Sequence, residues 1–189
     1  SIKRIITFPD NAESFAEALV KETQKWSVGN PFDAKTDIGT VISEEAAKII
    51  ERRIQSAIRQ GATLLIGGRR KGALVWPTVL DRVRISSELV SQETFGRVAP
   101  ILRASSLEEA IKMVNATRYG LNAGIMTNNL KWAMEFSREV RVGGVRINQA
   151  PGFRNEYVAF GGNKMSGFGR SGVKYSVEEM TNLKTVILS

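Results

Sequence analysis

Hydrophobic positions along the chain change period repeatedly, and each change marks an element. Ile2-Lys3-Arg4-Ile5-Ile6-Thr7-Phe8 is rich in β-branched residues and reads as a strand that Pro9-Asp10 stops. From Asn11 to Lys25 a helical spacing takes over, carried by Phe15, Ala16, Leu19 and Val20 with Trp26 just beyond. Gly29-Asn30-Pro31 ends it, and a polar loop runs to Gly39. Ser43 is a suitable N-cap for a second helix whose apolar stripe is Ala46, Ala47, Ile49, Ile50, Ile54, Ala57 and Ile58, closed by Gly61. Short apolar pieces follow at 63–66, 73–76, 78–80 and 98–102. Ser106 and Glu109 stand at capping-box spacing ahead of a helix that runs to Asn115. Residues 121–126 read as a strand, 130–140 as a helix and 145–147 as a strand. The glycine-rich stretch 148–172 has little periodicity, and a helical turn at 177–180 and a terminal strand at 184–188 complete the pattern.

Helices alternating with short strands predict parallel crossover units, hence an α/β fold: a three-layer αβα domain with a mostly parallel sheet. The terminal strand is apolar and has no helix after it, so it invites a partner strand from outside the sheet. The first strand opens without a preceding turn or cap, which suggests a chain cut from something longer.

Composition narrows the chemistry. The 189 residues contain neither cysteine nor histidine, which excludes disulfides, thiolate or imidazole metal sites and a cysteine nucleophile within them. No apolar run approaches the ~18 residues of a membrane span, no leader-like segment opens the chain, and a cytoplasmic protein without a membrane partner is expected. The net charge of +8 raises the question of nucleic acid. Its cations are dispersed among acids, as in Glu51-Arg52-Arg53, and no aromatics interleave with the Arg69-Arg70-Lys71 cluster. A nucleic-acid partner is therefore not expected.

Gly167-Phe168-Gly169-Arg170-Ser171-Gly172 is a literal G-x-G-x-x-G. That spacing binds a dinucleotide only when a hydrophobic strand enters it and an acidic residue follows about 20 positions later. Here turn-forming residues precede it and too little chain follows, so the match is a decoy. The glycines of 143–172 then admit two readings: an irregular packed connection, or a loop lining a ligand cavity.

Several segments in order resemble the NAD(P)-dependent aldehyde dehydrogenases. Gln92-Glu93-Thr94-Phe95-Gly96 with Val98-Ala99-Pro100 is similar to the family's E-x-F-G-P-V segment, with Arg97 where the family usually has proline. Phe160-Gly161-Gly162-Asn163-Lys164-Met165-Ser166-Gly167 resembles its F-G-G-x-K-x-S-G stretch. Gly29-Asn30-Pro31, Thr36-Asp37-Ile38-Gly39, Trp76-Pro77-Thr78-Val79-Leu80 and Tyr119-Gly120-Leu121 fall in the family's order as well.

The resemblance implies oxidation of an aldehyde to an acid with NAD or NADP, through a cysteine thiohemiacetal and thioester. It places the nucleophilic cysteine, the general-base glutamate and the nucleotide-binding domain upstream of Ser1, so this chain alone is expected to be inactive. It makes 1–178 the catalytic domain and 179–189 an oligomerisation strand, hence a homo-oligomer, dimer or tetramer. Glu93 matches the glutamate that accepts hydrogen bonds from the nicotinamide-ribose hydroxyls, and Phe95 the aromatic packed near the nicotinamide. Phe153, Arg154 and Phe160 match the loop over the aldehyde entrance. Arg154 would bind an anionic substrate group or pair with an acid such as Glu156. Two alternatives share the pattern: a coenzyme-A-acylating or phosphate-reducing relative, and a non-catalytic assembly module.

Overall fold

A computed structural model describes residues 2–189. The chain forms two compact units, one running to Ala110 and the other from Ile111.

The first unit is built on a four-stranded sheet. β1 (Ile5–Thr7) pairs in parallel with β6 (Val98–Arg103), and β6 in parallel with β5 (Thr78–Asp81). β2 (Thr63–Ile66) adds an antiparallel edge to β5, with a register shift between Leu64 and Ile66. The mixed α/β architecture with a mostly parallel sheet is thus as the sequence predicts. β5 is buried at all four positions, which suits a central strand covered on both faces. A small hairpin of β3 (Arg70–Lys71) and β4 (Leu74–Val75) sits beside it in sequence.

α1 (Pro9–Thr23) packs on β1, β5 and β6. Ala16 meets Val79 and Ile101, with Ile5, Leu19, Val20, Leu65, Ile66 and Ala99 around them. Pro9 both ends the strand and occupies the first helical turn, where its missing N–H costs nothing, so the helix begins two residues earlier than the apolar spacing predicts. Phe15 and Trp26, expected on the apolar stripe, are instead substantially exposed.

α2 (Glu44–Arg59) is capped as expected, Ser43 Oγ accepting the Ala46 N–H at 3.1 Å. Ala47, Ile50, Ile54 and Ala57 are buried, whereas Ile49 faces out. A four-residue helix, α3 (Glu88–Ser91), packs against α2 and is too short for a periodicity signal. At the far end of the sheet Asp81, Arg103, Glu13 and Arg82 form an ion network. Arg103 Nε donates to Asp81 at 3.2 Å and Nη1 to Glu13 at 3.0 Å. The two carboxylates hold the guanidinium above its ordinary range, Asp81 most strongly.

α4 (Leu107–Asn115) crosses the division between the units. Ser106 caps Glu109 N, while the Glu109 carboxylate returns to Ser105 rather than to Ser106, a shifted capping box.

In the second unit β8 (Asn122–Ile125) and β9 (Gly144–Ile147) pair in parallel. The crossover between them carries α5 (Leu130–Glu139), which buries Ala133 and Phe136 and is capped by Asn129 Oδ1 accepting from Trp132 N. β7 (Tyr119–Gly120) pairs antiparallel with β10 (Asn163–Lys164). α6 spans Val173–Met180, four residues longer at its start than the predicted turn, and buries none of its residues. The strand expected at 184–188 pairs with no strand of this chain among the described residues, and Leu183, Val186, Ile187 and Leu188 are exposed. No helix among them is long and apolar enough to cross a membrane.

Candidate active-site loops

The loop from Gln92 to Arg97 joins α3 to β6 and alternates in exposure. Thr94 is buried at 6% exposure, Glu93 is exposed, and Phe95 is 76% exposed. Three anchors produce this. Arg53, projecting from α2, donates through Nη1 to the Glu93 carbonyl at 2.8 Å and to Thr94 Oγ1 at 2.9 Å. Its Nε bonds Glu88 at 3.0 Å, so one guanidinium joins α2, α3 and the loop. Lys3 Nζ donates to the Thr94 carbonyl at 3.0 Å and lies 5.1 Å from the Phe95 ring centroid, within cation–π range.

Gly96 supplies the third anchor. A Cβ there would stand 2.7 Å from Ile50 Cδ1, so any larger residue would have to displace the buried Ile50 side chain of α2. The Arg97 carbonyl then accepts the Thr78 N–H at 2.9 Å and leads the chain into the sheet. Arg97, without proline's restraint, follows a path set by these bonds.

What the loop presents is an exposed aromatic ring beside a carboxylate that takes no protein hydrogen bond or ion pair among the described residues. Such a carboxylate can accept from both hydroxyls of a cis-diol. An exposed ring of this size can pack against a flat apolar partner. The residues present therefore fit a nicotinamide riboside.

Phe153, Arg154 and Phe160 lie in the second unit. Arg154 contacts Glu156 at 3.3 Å and stacks on Phe160, its guanidinium carbon 4.8 Å from the ring centroid. Both charged side chains of that pair are about half exposed or more, and such exposed pairs contribute about 0–1 kcal/mol. Phe160 is fixed by a two-way backbone bridge to Ser171, at 2.8 and 2.7 Å. The Phe153 carbonyl accepts from Arg146 Nη2 at 3.1 Å while its side chain is half exposed. Arg154 and Phe160 are thus brought together. Arg53 and Lys3 escaped the sequence reading, because nothing in their local pattern signals bonds to a loop 40 or more residues away.

The G-x-G-x-x-G segment has a structural use. Arg170 folds back to donate to the Gly162 and Gly169 carbonyls and to Asn163 Oδ1, knitting the turn to itself. A helix does leave Gly172, but the strand ahead is the two-residue β10 in an antiparallel pair, so no βαβ unit encloses the glycines. No cluster of three or more potential metal ligands occurs among the described residues.

Comparison with known proteins gives the family. The chain is 43% identical to a lactaldehyde dehydrogenase of Methanococcus maripaludis, all of it aligned to 40% of that protein. It is 40% identical to a sulfoacetaldehyde dehydrogenase of Neptuniibacter caesariensis, with 98% of this chain and 41% of the relative covered. The crystal structure of glyceraldehyde-3-phosphate dehydrogenase GapN from Methanocaldococcus jannaschii, complexed with NADP, superposes with a TM-score of 0.93 at 42% identity. That superposition covers all of this chain and 41% of the other. The chain thus spans about two fifths of the length of the relatives it matches. A profile described as the aldehyde dehydrogenase family matches residues 1–186, and the chain belongs to that family.

Proposed function

We propose that this chain is the catalytic-domain part of an enzyme that oxidises an aldehyde to a carboxylic acid with NAD+ or NADP+. The observation that carries the reading is the anchored loop that offers an unpartnered Glu93 carboxylate beside the exposed Phe95 ring. When bound, the nicotinamide cofactor supplies the hydride acceptor. Glu93 accepts hydrogen bonds from the ribose hydroxyls, and Phe95 packs beside the nicotinamide, so the chain's own role on this side is to hold the acceptor in register with the aldehyde carbon. The attacking thiol comes from elsewhere in the whole enzyme, since these 189 residues hold no cysteine. A thiol that must stay reduced favours a cytoplasmic enzyme.

On the substrate side, Phe153 and Phe160 line the aldehyde entrance, and Arg154 takes an anionic group at the far end of the substrate. Its bond to Glu156 is weak enough for a better-placed anion to replace it. The sulfonate and phosphate in the names of two relatives' substrates are anions of the kind a guanidinium holds bidentately. Residues 1–178 form the catalytic domain, and the exposed apolar segment 179–189 adds a strand to a neighbouring subunit, giving a homo-oligomer.

The test is turnover of the full-length enzyme across carboxylated, sulfonated, phosphorylated and neutral aldehydes, with and without Arg154→Ala. The substitution is expected to raise KM for the anionic aldehydes about ten- to a hundredfold and to spare the neutral ones. An equal loss on both classes would make Arg154 a structural partner of Glu156.

A further inference from the structure

We infer that Lys3 and Arg53 are positioning residues for the cofactor loop, acting as a two-sided clamp on Thr94. Thr94 presents two acceptors. Its hydroxyl receives Arg53 Nη1 at 2.9 Å, and its carbonyl receives Lys3 Nζ at 3.0 Å. The two cations come from different elements, α2 and the segment leading into β1, so the threonine is tied to both. Because Thr94 stands between Glu93 and Phe95, fixing it fixes both neighbours.

The clamp reaches the neighbours directly as well. Arg53 Nη1 also binds the Glu93 carbonyl, which sets the peptide plane from which the Glu93 side chain projects. Lys3 places its ammonium over the Phe95 ring, which limits the ring's rotamers. Arg53 is built for this use: its side chain is 14% exposed, and it makes three bonds in a fixed fork. The Gly96 amide donates to the same Thr94 carbonyl at 2.9 Å, so the turn depends on Thr94 holding its place.

The consequence for catalysis is indirect. Arg53 and Lys3 carry no proposed contact with cofactor or substrate; they keep the ribose-binding carboxylate and the ring pre-organised, which lowers the ordering cost of binding. The inference rests on the cofactor reading of Glu93 and Phe95, and its test separates the two.

Full-length enzyme with Arg53→Met, Lys3→Met or Thr94→Val is compared with wild type in two measurements. Amide exchange of the apo-enzyme over residues 93–97 reads the clamp without any cofactor. It should rise about tenfold or more in each variant while exchange across α2 stays unchanged. Titration with NAD+ and NADP+ should then show affinity weakened about tenfold for the variants, with Arg53→Lys restoring only part of it. Arg52 keeps a bond to Glu88 at 2.9 Å, so Arg53→Met leaves no carboxylate stranded. Should that variant fail to fold, Thr94→Val removes the same bond with nearly the same shape. Folded variants whose loop exchanges at the wild-type rate overturn the clamp. Faster exchange with unchanged dinucleotide affinity in these variants and in Glu93→Gln overturns the cofactor reading instead.

Discussion

Gly143→Ala should be one of the most damaging small substitutions in the chain. A Cβ at this position would lie 1.7 Å from the Gly161 carbonyl oxygen and 2.7 Å from its carbon. Ordinary carbon–oxygen contacts close to about 3.3 Å, so the two segments must part by roughly 1.6 Å. Neither side has a rotamer to turn, because both atoms it meets are backbone. Nor can Gly143 retreat freely, since its N–H is shared between the Gly120 and Leu121 carbonyls at 3.0 Å each. Overpacking a well-filled site costs about 1–3 kcal/mol, and a clash with backbone belongs at the upper end, about 3 kcal/mol. For the full-length enzyme, whose relatives are about two and a half times as long as this chain, that is about 3 °C in thermal midpoint. Phe160 adjoins the displaced peptide, so aldehyde preference should change with stability. Differential scanning calorimetry of the full-length enzyme reads the first effect, and kcat/KM on two aldehydes of different size the second. A midpoint within about 1 °C of wild type would refute the close approach.

The remaining expectations concern the ion network and the chain's end. Arg103→Met leaves Asp81, whose side chain is 8% exposed, without its guanidinium partner, and should destabilise by about 3 kcal/mol in urea unfolding. A loss under about 1 kcal/mol would mean that solvent or Arg82 takes over. Removing residues 184–189 should shift the full-length enzyme toward smaller species in sedimentation while its far-ultraviolet circular dichroism stays the same. An unchanged oligomer after truncation would exclude strand exchange by this segment.

Much of the fold was legible because local chemistry and tertiary structure agree there. Ser43 is a helix cap in the sequence and in the structure, and the stripe Ala47, Ile50, Ile54, Ala57 lies inward as its spacing requires. The departures have local causes. Pro9 reads equally as the end of a strand and the start of a helix, and it serves as both. α3 is one turn long, and α6 carries Val173, Val177 and Met180 at helical spacing but leaves all three exposed. Glu93 and Phe95 came to notice through family likeness, since an exposed carboxylate and an exposed ring have no local signature of their own. Arg53 was invisible for a different reason. It sits in a charged run on a helix, and its bonds to Glu93 and Thr94 span 40 and 41 residues. Only the fold brings them together.

The Gln92–Arg97 loop is proposed to hold the nicotinamide end of a dinucleotide, and calorimetric titration of the full-length enzyme with NAD+ and NADP+ tests this. Glu93→Gln keeps the shape of an exposed side chain but halves its accepting capacity and removes its charge. Affinity for the preferred dinucleotide should fall about tenfold or more, with the thermal midpoint within about 2 °C of wild type. Wild-type affinity together with a wild-type rate of hydride transfer in the Glu93→Gln enzyme would contradict the account.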